Sequence, residues 1–110
     1  MTILIAAAAA FAALPPAAQP DAQCLMVYTA AAGIAKTDAD RLPALLGTAY
    51  FYGRIEAVAP SVNVTDLLQD LSVTLDKMEQ PKLQVLGESC DKRFQAMGKR
   101  FEAAGETLKK

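Results

Sequence analysis

Cys24 and Cys90 are the two cysteines of the chain, and they sit in different company. Cys90 lies inside GESCDKRF, among Glu88, Asp91, Lys92 and Arg93, whereas Cys24 follows Asp21, Ala22 and Gln23. A thiol can be a metal ligand, a nucleophile, a redox partner, core filler or half of a disulfide. A structural zinc site wants about four Cys, His or carboxylate ligands at recognisable spacing. Two isolated cysteines in a chain without histidine do not supply that set. A Cys–His nucleophile lacks its base for the same reason, and no C-x-x-C pair points to redox catalysis.

Other reaction signatures are equally hard to find. The chain has no G-x-S-x-G turn, no glycine loop to cradle phosphate and no metal-ligand spacing. Asp66 and Asp70 read as the solvated face of a helix, with Asp66 complementing the dipole at its start. We therefore expect a non-enzyme, with no catalytic residue, no metal and no cofactor.

Two free thiols would be ordinary in a reducing compartment, so the first residues matter. Residues 3–14 of MTILIAAAAAFAALPPAAQPDAQC are uninterrupted apolar. That length suits the roughly 7–15 residues of a signal-peptide core and falls short of the ~18–20 of a bilayer span. Pro15 and Pro16 then break the run, and small residues follow; cleavage is expected near Ala18. The AFA stretch at 10–12 is a second candidate, which would leave a very short apolar core. No Lys or Arg precedes the run. The competing reading is a buried N-terminal helix, but seven of residues 6–13 are alanine, which offers little volume to a core. A lipid-anchored cysteine is disfavoured by the charge and amide of Asp21 and Gln23 just before Cys24.

Behind a leader, an even count of cysteines favours a bridge. A Cys24–Cys90 disulfide is therefore expected, closing a loop of 66 positions. The expected product is a single helical domain, residues 19–110, in a periplasm or outside the cell. All 11 basic and 12 acidic residues lie after Ala18, a formal charge of −1. No basic excess attracts nucleic acid or anionic lipid, and no second segment is apolar enough to stay in a membrane.

Proline and cap signals divide the domain into four segments, all with helical periodicity. The first, about Asp21 to Ala35, is apolar on nearly all sides, so neighbours should cover more than one face. Thr37 or Asp38 is placed to cap the second, about Ala39 to Ala59, with Pro43 in its first turn and Pro60 after its end. On it Leu42, Leu46, Tyr50, Gly53 and Ala57 share one face. The third begins at Asn63 or Thr65 and runs to about Glu79, with a stripe of Val64, Leu67, Leu68, Leu71, Leu75 and Met78. The fourth, from Pro81 to Leu108, carries a nearly heptad seam: Leu83, Leu86, Cys90, Phe94, Met97, Phe101, Ala104 and Leu108. Cys90 lies on that seam, away from the charges beside it, so it should face a core. Ordinary packing of the seam is expected ahead of a self-associating coiled coil. Gly87, Gly98 and Gly105 mark either close approaches of other helices or a helix that frays late.

YFYGR at 50–54 is the densest cluster of unusual residues. Three successive helical aromatics point in three directions about 100° apart, so they cannot share one buried face. At least one should lie near a surface or under the first helix. Gly53 reads as a place where a neighbouring helix or ligand comes close. Arg54 is expected to pair with Glu56, Asp70 or an outside carboxylate. Tyr52 and Arg54 are the candidate partner-contact residues.

With one cysteine near the start of the mature chain, the YFYG centre and a second cysteine in ESCDKRF, the chain resembles the HdeA acid-stress chaperones. With YFYGRIEA followed by VNVTDLLQDLSVTL and a late cysteine, it is also similar to the Tai-class immunity proteins of type VI secretion. Either resemblance, over residues 24–101, implies a compact helical periplasmic fold with disulfides. The first implies apolar surface exposed at low pH to bind unfolding clients, the second tight binding of one toxic partner. The chain departs from both patterns, having no tryptophan near Cys24 and no second cysteine pair. The expectation is an all-α bundle of about four helices, clamped by one disulfide, that binds or protects a protein partner. The alternatives are a structural or envelope-associated protein without a client and, third, a small lipid carrier or hydrolase. The partner and the oligomeric state are left open.

Overall fold

The computed structural model describes residues 10–109. Among them are one 3-10 turn, Pro16–Ala18, and four α-helices: α1 (Gln19–Ile34), α2 (Asp38–Val58), α3 (Val64–Asp76) and α4 (Gln80–Leu108). Residues 10–12 are also helical, and no strand occurs among the described residues. The expected all-α class holds.

Local chemistry explains where the helices start. Thr37 precedes α2, and its side-chain oxygen accepts from the Asp40 N–H at 3.1 Å. Asn63 does the same for α3, accepting from Asp66 at 3.0 Å. Both satisfy an amide that has no partner within the helix. Pro81 lies in the first turn of α4, where its missing N–H costs least. Pro43 does not sit in a first turn as expected, because α2 begins earlier, at Asp38. The lost donor would have served the carbonyl of Ala39, an exposed residue whose carbonyl water can reach.

α1 is the central element and touches all three of the others. Asp21, Ala22, Cys24, Leu25 and Tyr28 are buried along it. They meet Phe51 and Ile55 from α2, Leu67 and Leu71 from α3, and Cys90 from α4. Cys24 and Cys90 form a disulfide with Cα atoms 5.5 Å apart, both side chains enclosed in this core. The bridge ties α4 to the centre of the bundle.

α3 stops at Asp76, short of the expected Glu79, so half-buried Met78 lies in the bend after it. As far as Leu75 its stripe lies as the sequence places it, with Leu67 and Leu71 fully buried and Val64, Leu68 and Leu75 half-buried. The phase of α2 does not. Its buried residues are Ala44, Gly47, Phe51 and Ile55. Leu42 and Leu46, on the face the spacing had singled out, are 59% and 53% exposed, and Gly53 is exposed as well. The core face is rotated by one residue, about 100°, from that set. α2 carries apolar side chains on several sides, so spacing alone left its phase open.

Residues 1–9 of the expected leader lie outside the described residues. The end of the apolar run is described, and it packs. Leu14 and Ala18 are buried, and Ala10 and Phe11 lie against the same cluster. The chain turns there through hydrogen bonds from Leu14 N–H to the Phe11 carbonyl (3.1 Å) and from Ala18 N–H to the Pro15 carbonyl (2.8 Å). Cleavage after Ala18 would take Leu14 and Ala18 out of the core.

Candidate functional site

The YFYGR segment lies in the last half of α2, and its three aromatics take the three directions that helical geometry requires. Phe51 is fully buried, while Tyr50 and Tyr52 are half-buried on either side of it. Phe51 stacks on Tyr28 of α1 with ring centroids 5.7 Å apart and meets Tyr50 edge-on at 4.9 Å. Phe94 of α4 completes the cluster, 5.5 Å from Tyr28 and 6.1 Å from Tyr50. The glycine that permits close approach is Gly47, one turn before Phe51, and not Gly53. A Cβ at Gly47 would lie 2.5 to 2.8 Å from carbons of the Tyr28 ring, whereas one at Gly53 would meet nothing within 4 Å. Gly87, Gly98 and Gly105 likewise face open space, so none of them marks a close helix approach.

Tyr52 and Arg54 are not brought together. Two helical residues apart is about 200° around the axis, so the two side chains leave α2 on opposite sides. Each opens onto a different depression.

On the Tyr52 side, an open groove of about 480 Å³ runs between α1, α2 and α3. Leu25, Thr29, Leu45, Thr48, Ala49, Tyr52, Val64 and Leu68 line it, a predominantly apolar set. Leu42, Leu45, Ala49 and Tyr52 are spaced 3, 4 and 3, so they continue one stripe along α2 beyond the groove. Leu42 and Leu45 are 59% and 48% exposed.

On the Arg54 side the chemistry is ionic. Asp21, in the first turn of α1, is 3% exposed and is the one buried charged residue among those described. Arg54 Nε donates to its Oδ1 at 3.0 Å, and Arg93 Nη2 reaches the same oxygen. Arg54 does not pair with Glu56 or Asp70 as the sequence suggested; its carboxylate comes from 33 residues upstream. Arg93 also points Nη1 at the Cys24 sulfur, 3.6 Å away, and its guanidinium lies 5.1 Å from the Phe51 ring centroid. The Arg54 guanidinium lies 5.8 Å from the centre of Tyr50. The hydrogen bond and charge of Asp21 hold the Arg54 pKa above its already high ordinary value, so this cation is permanent.

Asp21 and Arg93 were missed as a pair. A signal for them exists: each lies three residues from a bridged cysteine, so each shares that cysteine's helix face. Tyr28, also buried, donates its hydroxyl to Asp91. Burial first, and then the hydrogen bond to and charge of Asp91, push the Tyr28 phenol well above its usual pKa.

Among the described residues, no group of three or more Cys, Asp or Glu side chains is gathered to hold a metal ion, and no helix is long and apolar enough to cross a membrane. The chain matches no protein-family model, no curated protein and no solved structure.

Proposed function

We propose that this chain is a small exported, non-catalytic protein that binds a protein partner through the apolar groove beside Tyr52. The observation that carries this reading is the groove itself. Tyr52 and Leu45 line it, and Leu42 extends its stripe into solvent. A surface of that kind, with an amphipathic aromatic beside aliphatic side chains, is the usual core of a contact patch. Its openness supports a partner's side chains as occupants and speaks against an enclosed lipid. The disulfide supports an oxidising compartment, and with the apolar N-terminal run it supports export to a periplasm or beyond, with a leader cut near Ala18. In this reading the partner role is of the kind the HdeA-like or Tai-like resemblance implies, a client or a single cognate protein.

The experiment is capture with the tagged protein from its own envelope fraction, with a photo-cross-linker at position 45 or 52 and a control at Lys99. Leu45→Glu should abolish the cross-linked partner while the far-UV CD spectrum and Tm stay nearly unchanged. Capture that survives Leu45→Glu in a folded protein would place the contact elsewhere. Arg54→Ala is tested separately, because Arg54 lies on the other side of α2. The intact mass of the exported protein reports the cut and the bridge together.

A further inference from the structure

Three of the chain's four arginines line one shallow depression on the side of α2 away from the groove. Arg54 comes from α2, Arg93 and Arg100 from α4, and Tyr50 and Ala96 complete the lining of about 470 Å³. We propose that this depression binds the phosphate group of a ligand.

The charge balance is the first argument. Three arginines line the depression and one carboxylate, Asp21, pairs with two of them, Arg54 and Arg93, which leaves an excess of two positive charges. No acidic side chain lines the depression. Like charges held this close repel one another, and a dianionic group relieves that repulsion more fully than a carboxylate does.

Pre-organisation is the second. Buried Asp21 fixes both Arg54 and Arg93 through a single oxygen, from below. Their guanidinium groups also lie near the aromatic rings of Tyr50 and Phe51. Most of the rotamer freedom that an arginine normally loses on binding an anion is therefore already gone.

The third argument is unspent donors. Arg54 meets Asp21 through Nε, which leaves its Nη groups without a carboxylate partner among the described residues; the other side-chain oxygen that acts on this guanidinium is the Tyr50 hydroxyl. Arg100 has neither an ion pair nor a side-chain hydrogen bond among the described residues. Forks of this kind match the oxygens of a phosphate two at a time. The depression is open to solvent, so it suits a phosphate monoester or a lipid headgroup and not an enclosed metabolite.

A test is titration of the ¹⁵N-labelled full chain with inorganic phosphate, with sodium chloride adjusted to hold ionic strength constant. The expected result is a saturable set of shifts centred on Tyr50, Arg54, Arg93, Ala96 and Arg100, with acetate weaker. Arg100→Gln should weaken phosphate binding by about tenfold, the worth of one charge-assisted contact. Its Tm should hold, because Arg100 takes no part in the Asp21 network. Shifts that grow linearly and spread over the surface lysines would overturn the site, as would an Arg100→Gln variant that binds as tightly as the parent. Vesicles containing phosphatidic acid, whose headgroup is a phosphate monoester, beside vesicles of phosphatidylcholine, separate the two sources. Displacement of bound phosphate by the former alone assigns a lipid headgroup, and no displacement by either assigns a soluble phosphate ester. Loss of the Tyr52-side partner contact would leave all of these readings unchanged.

Discussion

Leu83, Leu86, Cys90, Phe94 and Met97 run along the first half of α4, and Phe101, Ala104 and Leu108 extend the same spacing through the second. In the first half Cys90 is fully buried and the other four are half-buried; in the second Phe101 is 71% and Leu108 87% exposed. The cause is length. α4 has 29 residues and α1 has 16, so the last turns of α4 run on without a neighbour to pack on. Periodicity states which residues share a face, and only a neighbour turns that face into core. An uncovered helical end also relies on intrinsic propensity, which Gly98 and Gly105 weaken by about 1 kcal/mol each.

The largest expected effect falls on the anchored half. Cys90→Ala should lower stability by about 2–5 kcal/mol, because it releases a long closed loop in the unfolded chain and empties a buried position. Urea unfolding of the oxidised parent and the variant measures it. A loss below 1 kcal/mol would mean that α4 is held by packing and not by its bridge.

Phe94→Ala comes next. Its ring is half-buried against Tyr28 and Tyr50, so the expected loss is about 2 kcal/mol, from lost burial and aromatic contact. Were it to match a fully buried aromatic, at about 3–5 kcal/mol, the first half of α4 would be packed more deeply than its exposure indicates.

Tyr28 gives the comparison a pH axis, since it joins α1 to the anchored half through Asp91 and Phe94. Its phenol pKa is raised in the folded protein, so the folded chain keeps a proton that the unfolded chain releases above about pH 10. That contribution is complete below pH 10 and is lost as pH rises towards the folded value, at no more than about 1.4 kcal/mol per pH unit. Tyr28→Phe should be less stable at pH 8, with the gap to the parent narrowing above pH 10 in paired denaturant titrations. A gap that stays constant above pH 10 would mean the phenolate is tolerated against Asp91, and one that widens would mean the fold favours it.

The smallest effect belongs to the far end. Phe101→Ala should stay within about 0.5 kcal/mol, and amide exchange over residues 99–108 should be faster than over 83–97. A Phe101→Ala loss equal to that of Phe94→Ala would erase the distinction between the halves, and would require something to cover the far end.

Much of the architecture was legible because it is written in local chemistry. Thr37, Asn63 and Pro81 mark helix starts wherever they occur, since an uncapped amide or a missing N–H is a property of a few adjacent residues. The α3 stripe was legible because its polar and apolar faces are cleanly divided. The Cys24–Cys90 bridge followed from counting, as there was one possible pair. The α2 phase was not legible: Leu42, Leu45, Leu46, Phe51 and Ile55 point several ways, and no short-range rule says which of them a neighbour will cover.

The sequence by itself determined the helices, their caps and the two residues of the disulfide, because each depends on backbone geometry over a turn or two, or on simple arithmetic. Tertiary structure alone decided that Gly47 and not Gly53 receives a ring, that Asp21 is the carboxylate beneath Arg54 and Arg93, and that Tyr52 and Arg54 part company on opposite sides of α2. It also decided that the seam of α4 is core for half its length. Those outcomes depend on how far each helix extends beside the others and at what angle it meets them, quantities set by the packing of all four together and carried by no single segment.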